Sequence, residues 1–281
     1  MPELPEVETI RRGLQNGAGG QPSLLGMRIV QTHLFWQRTL AEPAEAVFDR
    51  RISGQAVRAV ERRGKYLILK LEPDYLLFHL RMSGDLRVEP LDQPLQPHDR
   101  LALDFEGGWR LAFNDTRKFG RAWLVDDPQT VLSDLGPEPL GTEFTPEWLA
   151  AALQSRHRQL KPLLLDQSFI AGLGNIYTDE ALHRARLHPC TPADQVSAEE
   201  ASRLWESIRG VLSEGIQRQG ASIDWVYRGG DFQNYFRVYQ RSGQPCPACG
   251  TPIERLVVGQ RGTHICPQCQ LIAGGDGASA I

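Results

Sequence analysis

Residues 100–115 read RLALDFEGGWRLAFND, two runs of largely alternating apolar and polar side chains on either side of Gly107-Gly108. Alternation turns one face of each run to a core and the paired glycines supply a tight turn, so the stretch predicts a β-hairpin. The same grammar continues outward in MRIVQTHLF at 27–35, AVRAVERRGKYLILKLE at 56–72, YLLFHLRMSGDLRVE at 75–89 and RAWLVD at 121–126. Short strands at this spacing predict an antiparallel β-sandwich. Ahead of them, Leu4, Val7, Ile10 and Leu14 share one helical face, with Pro5 in the first turn and Glu6 and Glu8 near the positive helix end.

Past residue 134 the pattern changes. Two prolines and a glycine interrupt it around 135–140, and helical periodicity takes over from Pro146. The clearest helix is SAEEASRLWESIRGVLSEGIQRQG at 197–220: Ser197 and Glu200 form a capping box, Leu204, Ile208, Val211 and Leu212 make the apolar stripe, and Gly220 ends it. The Gly/Ala/Ser tail after Ile272 reads as frayed. An α+β chain with boundaries at 1–134, 135–235 and 236–281 follows.

With 281 residues, 41% of them hydrophobic, the chain can bury more than one core. No apolar run reaches the length of a membrane span, and the N-terminus carries acids where a secretory signal carries bases, so a cytoplasmic location without membrane attachment is expected. A net charge of -3 argues by itself against a nucleic-acid partner. Its distribution argues otherwise. Between 51 and 72, Arg51, Arg58, Arg62, Arg63, Lys65 and Lys70 face only Glu61 and Glu72, and Arg156, Arg158 and Lys161 follow each other with no acid between them. Segregation of this kind leaves room for local basic faces, although any one cluster also reads as a solvated surface.

Cys246-Pro-Ala-Cys249 and Cys266-Pro-Gln-Cys269 have the spacing of a four-cysteine zinc site. Four thiolates close the coordination sphere, so the ion is structural. A pair of disulfides is the alternative, disfavoured in a reducing compartment. Between the knuckles, IERLVVGQRGTHI at 253–265 reads as a hairpin turning at Gly259 to Gly262 with Gln260 and Arg261 at its tip. Cys190 stands alone and reads as inert.

Read together, PELPEVET at the start, GKYL, HLRMSG, DTRKFG, GLGNIY, VYQRSG and the CxxC pair resemble the formamidopyrimidine-DNA glycosylase family, in family order over nearly the whole chain. The resemblance implies a helix-two-turn-helix domain with a zinc-ribbon hairpin after the sandwich. It also implies a bacterial enzyme, nucleoid-associated through its damaged double-stranded DNA substrate, acting as a monomer with one structural Zn2+ and no small-molecule cofactor. The activity implied is excision of oxidised purines (8-oxoguanine and formamidopyrimidines) through an N-terminal proline Schiff base, followed by β,δ-elimination. Pro2 then matches the nucleophile, exposed when Met1 is removed. A cation is disfavoured at a helix start, so its secondary amine loses a proton more easily than an ordinary α-amino group near pKa ~8. Glu3 matches the general acid and proton shuttle, Glu6 a further acid, and Lys65, expected on a strand, a catalytic-site lysine at the flanking phosphates.

A nucleotide must leave the stack to be attacked, and something must fill the gap. Met82, Arg117 and Phe119 match the family's void-filling residues, with Arg117-Lys118 where the family has two arginines. Sandwich core is the alternative for Met82 and Phe119. GLGNIY matches the turn that approaches phosphate, with Asn175 as side-chain donor; Lys161, Tyr239 and Arg261 match other DNA contacts, and His79 a further one. The loop from 221 to 235 corresponds to the segment closing over the everted base. Two other readings stand beside this one: an endonuclease VIII-like enzyme for oxidised pyrimidines, and a non-catalytic zinc-dependent DNA-binding protein.

Overall fold

A computed structural model describes residues 1–222 and 229–272. The expected frayed tail and the central part of the 221–235 loop lie outside the described residues. The chain divides into two compact units, residues 1–134 with 219–230, and residues 135–218 with 231–281.

The first unit opens with α1, Leu4–Asn16. Strands β1 (Ile29–Leu34), β2 (Leu40–Glu42), β3 (Ala59–Arg63), β4 (Tyr66–Lys70), β5 (Tyr75–His79), β6 (Gly84–Pro90), β7 (Asp99–Phe105), β8 (Trp109–Asp115) and β9 (Arg121–Val125) form two sheets, ordered β1-β7-β8-β6 and β2-β9-β5-β4-β3. All pairings are antiparallel except β2 against β9. The hairpin expected at 100–115 is β7-β8, with Phe105 opposite Trp109 across Glu106-Gly107-Gly108. Inward residues of both sheets, among them Leu67, Leu69, Leu76 and Phe78 from one and Leu101, Leu103, Leu111 and Phe113 from the other, join Val7, Ile10 and Leu14 of α1 in one core. Removing each such side chain from water contributes about 1.5–3 kcal/mol, which makes this apolar face the main force seating the N-terminal helix. A further helix, α2 (Glu45–Ile52), carries too few apolar positions to declare itself in sequence; only Phe48 and Ile52 are buried. A short α3 (Gln129–Leu132) precedes the second unit.

There, α4 (Pro146–Gln154), α5 (Leu160–Leu164), α6 (Asn175–Ala185) and α7 (Ala198–Gln217) are followed by the hairpin β10 (Glu254–Val258) and β11 (Arg261–Ile265). The Ser197–Glu200 capping box forms as expected, with Glu200 N donating to Ser197 Oγ at 3.3 Å and Ser197 N to Glu200 Oε2 at 2.9 Å. The helix ends three residues earlier than expected, at Gln217, because both Gln219 and Gly220 take left-handed backbone. Buried Tyr177 of α6 stacks on Phe232 at 5.2 Å.

Candidate active site and nucleic-acid interface

At the N-terminus, Glu3 caps α1 from extended backbone, φ -100°, and its N–H donates to Glu6 Oε2 at 2.8 Å. The other oxygen of Glu6 accepts from Ala221 N at 2.8 Å, tying the helix start to a residue 215 positions away. Pro2, Glu3 and Glu6 are all buried, so the two carboxylates expected near the chemistry stand in a pocket of protein and not on a solvated helix end.

Lys65 lies one residue outside the strand expected for it. Arg63 pairs with Tyr66, so Gly64 (φ 55°) and Lys65 form a two-residue hairpin turn between β3 and β4. Arg62, unselected in sequence, organises this corner. Its guanidinium donates to Gly64 O at 2.9 Å and to Glu8 Oε2 of α1 at 3.3 Å, so helix and turn share one anchor. Burial would raise the Glu8 carboxyl, but hydrogen bonds from Arg11 and Arg12 outweigh it and hold Glu8 below its ordinary value. Lys65 itself is buried, at 4% exposure.

Met82 sits in the β5-β6 turn, and Arg117 and Phe119 in the β8-β9 turn. Asp115 joins the two. Its Oδ1 accepts from the Ser83 hydroxyl and from Arg117 N at 3.1 Å, its Oδ2 accepts from Gly120 N at 2.7 Å, and Arg117 N also lies 3.1 Å from Ser83 Oγ. Its backbone is fixed too: its N–H donates to His98 O at 3.0 Å and its C=O accepts from Arg100 Nε at 2.7 Å. Three non-glycine residues around this hub, Arg81, His98 and Lys118, take left-handed backbone at φ 53°, 79° and 61°. That strain, of order 1–3 kcal/mol each, persists only where surroundings enforce it, and it gathers at functional turns. Gly120 is required by close approach, since a Cβ there would lie 2.4 Å from the Phe113 ring. Core is not where Met82 and Phe119 end up: they are 40% and 50% exposed, and the Arg117 guanidinium lies over the Phe119 ring at 5.4 Å. Asp115, Gly120 and Ser83 all belong to the motifs DTRKFG and HLRMSG; they are the letters that build the turn, beside those that project from it.

His79, expected to contact DNA, is packed among protein groups in this structure. It is buried at the end of β5, its Nδ1 accepts from Arg81 N at 3.0 Å, and its ring meets Tyr66 edge-on at 4.6 Å. Burial first, then the nearby charges of Arg81 and Lys65, push its pKa down to about 3, so the ring is neutral at neutral pH and, with Nδ1 accepting, carries its proton on Nε2. Its job is local, holding the left-handed Arg81 that precedes Met82.

In the second unit, Lys161 is tied into the protein. Expected to reach DNA, it is fully buried, its Nζ donating to Asp179 Oδ1 at 2.6 Å and to Gly262 O at 3.1 Å. Asn175, the first residue of α6, spends a side-chain N–H on the same Gly262 carbonyl at 3.0 Å. Gly259 and Gln260 (φ 55° and 63°) make the hairpin turn, shorter than the four residues expected, and Gly259 packs on Pro162 of α5. The β10-β11 tip is therefore seated on the residues flanking GLGNIY, with Arg261 left exposed. Tyr239 is half-buried between Phe236 and His264, and its N–H donates to Glu180 Oε1 at 2.8 Å.

The four cysteine sulfurs lie within 4.8 Å of one another. Separations of 3.4 Å (Cys249–Cys266), 3.5 Å (Cys249–Cys269) and 3.9 Å (Cys246–Cys269) are far beyond a disulfide bond and bracket the ~3.8 Å edge of a tetrahedron with metal–sulfur bonds of ~2.3 Å. Hydrogen bonds from Thr251 hold Cys249 down to about 6, whereas burial and the neighbouring sulfurs push Cys269 up. Crowded thiols cannot all ionise by themselves; a divalent cation removes that penalty, and the donor set fits zinc.

Comparison with known proteins places every part of this arrangement in one lineage. Residues 1–122 match the formamidopyrimidine-DNA glycosylase N-terminal domain, 135–226 its H2TH domain, and 243–272 the zinc finger found in FPG and IleRS, which spans the four cysteines; the site is a structural zinc centre. The chain is 45% identical over 279 residues to the formamidopyrimidine-DNA glycosylase of Protochlamydia amoebophila, covering 96% of this chain and 99% of that one. It is 46% identical to that of Chloroflexus aurantiacus, covering 96% and 98%. Among solved structures, Lactococcus lactis Fpg in complex with abasic-site DNA superposes with a TM-score of 0.88 at 34% identity, covering 96% and 99%, and its complex with FAPY-dG DNA gives 0.88 at 35%, covering 96% and 100%. Identity at this level over almost the full length of both partners extends through sandwich, helices and ribbon alike, and the chain belongs to the formamidopyrimidine-DNA glycosylase family.

Proposed function

We propose that this chain excises oxidised purines, 8-oxoguanine and formamidopyrimidines, from duplex DNA and then cleaves the strand, with the amine of Pro2 as nucleophile. Once Met1 is removed, that nitrogen attacks C1′, the bond to the base breaks, the base leaves with the proton that the amine gives up, and the C1′–O4′ bond then opens as the ring oxygen takes a proton from Glu3. Because the amine is secondary, the product is an iminium, a fixed cation that draws electrons from C2′ and so promotes β- and then δ-elimination of the flanking phosphates. Glu3, buried beside it at the start of α1, serves as acid at the sugar ring oxygen, and Lys65 engages the phosphates next to the lesion. Arg261, Tyr239 and the backbone N–H groups at the start of α6 contact the DNA backbone.

The observation that carries the reading is the exposure of Met82 and Phe119 on turns that Asp115 pins together around Arg117. Large apolar side chains held in water by strained, multiply bonded turns suit insertion into a base stack, with the arginine left to pair with the orphaned base. We place the enzyme in the cytoplasm as a monomer needing no small-molecule cofactor.

Protein whose N-terminus is confirmed as Pro2, incubated under borohydride with a duplex carrying one 8-oxoguanine opposite cytosine, is expected to give a covalent adduct mapped to Pro2. The same protein with Met1 retained should bind but not trap. Trapping only on an oxidised-pyrimidine duplex moves the substrate to the endonuclease VIII class. Equal activity of blocked and free forms removes Pro2 as nucleophile.

A further inference from the structure

Lys118 stands between the two side chains proposed to enter the duplex, and it points elsewhere. Arg117 lies over Phe119, while the Lys118 ammonium lies 4.1 Å from the ring centroid of Trp36, from a segment 82 residues away in sequence. A buried indole N–H ordinarily finds an acceptor. Among the described residues Trp36 Nε1 has none, although it is buried, so no hydrogen bond from the side chain sets the ring's position. What does fix Trp36 is backbone: its N–H donates to Arg100 O at 3.3 Å, and the Arg100 guanidinium donates to Asp115 O at 2.7 Å. Trp36 is thus bonded through one intermediary to the residue that receives Arg117 N and Gly120 N. Its face meets the one residue of the turn, Lys118, that is held at positive φ without being glycine.

We propose that Trp36 is a positioning residue for the β8-β9 turn. Its ring captures the Lys118 ammonium and thereby holds the left-handed backbone from which Arg117 and Phe119 project together. The inference rests on the proposed glycosylase reading, in which those two side chains enter the DNA. Capture by the ring face tolerates arginine at 118, since a guanidinium stacks on tryptophan as well as an ammonium does.

The test is a double-mutant cycle on the full-length, zinc-loaded enzyme with Trp36→Leu, Lys118→Met and the pair, read by single-turnover excision of 8-oxoguanine. Entry of the wedge is followed by fluorescence of 2-aminopurine next to the lesion. Each single substitution is expected to slow wedge entry and excision about tenfold, the scale of a partly desolvated cation–π contact. The double variant should be no slower than either single one. Affinity for undamaged duplex should stay at the parental value, and Lys118→Arg should keep the parental rate. Trp36→Phe, which keeps an aromatic face, serves if Trp36→Leu does not fold. Multiplying effects in the cycle, or a parental rate for Trp36→Leu, overturns the proposal. The contact itself is read without activity, as a ring-current shift of the Lys118 ε-methylene protons in the free protein that Trp36→Leu abolishes. A parent enzyme that shows that shift but excises nothing defeats the glycosylase reading, and absence of the shift defeats this one.

Discussion

The imidazole of His79 meets the backbone N–H of Arg81 on one side and the edge of Tyr66 on the other, with the charges of Lys65 and Arg81 close by. Its folded pKa of about 3 lies below the unfolded value near 6.5, so the unfolded chain takes up a proton first as pH falls. The stability it contributes is fully present above pH ~6.5 and is lost progressively from there toward pH 3, with a slope approaching about 1.4 kcal/mol per pH unit. Urea unfolding across that window should show this component in the parent and not in His79→Gln; coincident profiles would refute the assignment. Nothing in HLRMSG distinguishes a buried histidine from one reaching phosphate, because the difference lies in Tyr66 and Lys65 from the neighbouring strand and turn. Asp115 is similar: two of its side-chain donors, Arg117 N and Gly120 N, stand in its own motif, yet the bond that joins the two turns requires Ser83, 32 residues away.

At the scale of elements, α6 explains how a ribbon is held to a helical unit. Consecutive residues on a helix point about 100° apart, so Asp179 and Glu180 serve different partners. Asp179 takes Lys161 and His264 N, while Glu180 accepts from the N–H groups of Arg237, Val238 and Tyr239 at 2.8–3.0 Å. Burial still raises the Glu180 carboxyl against those three donors. Removing one member of the fully buried Lys161–Asp179 pair leaves an unpaired charge, so Lys161→Met should destabilise by about 3–5 kcal/mol, and adding Asp179→Asn should recover part of it. The salt dependence of DNA binding separates structure from contact. Arg261→Ala should reduce the slope of log K against log salt by about 0.9, and Lys161→Met, measured where it is folded, should leave it unchanged. A reduced slope for Lys161→Met would restore it to the DNA contacts.

For the molecule as a whole, zinc matters because the apolar cluster around the cysteines is small. That cluster comprises Val238, Cys246, Ile253 and Cys266, with Cys269 against it, too few side chains to offset the entropy of ordering the segment. Chelation should collapse the dispersed amide signals of residues 243–272 and weaken DNA binding, with recovery on adding one equivalent of Zn2+. Unchanged affinity in the metal-free protein would show that the ribbon is not needed for binding.

Alternation marked the strands of the sandwich apart from β2, capping and periodicity marked α1 and α7, and cysteine spacing marked the metal site, because each is a rule over a few neighbouring residues. The motifs singled out the side chains proposed as the wedge. Only tertiary structure decided that Met82 and Phe119 face solvent while His79 and Lys161 do not, that β2 runs parallel to β9, that Arg62 and Asp115 tie their turns together, and that Lys118 meets Trp36. Burial and charge pairing are set by residues brought together from as far as 215 positions apart, as for Glu6 and Ala221, and no local pattern encodes a partner at that distance.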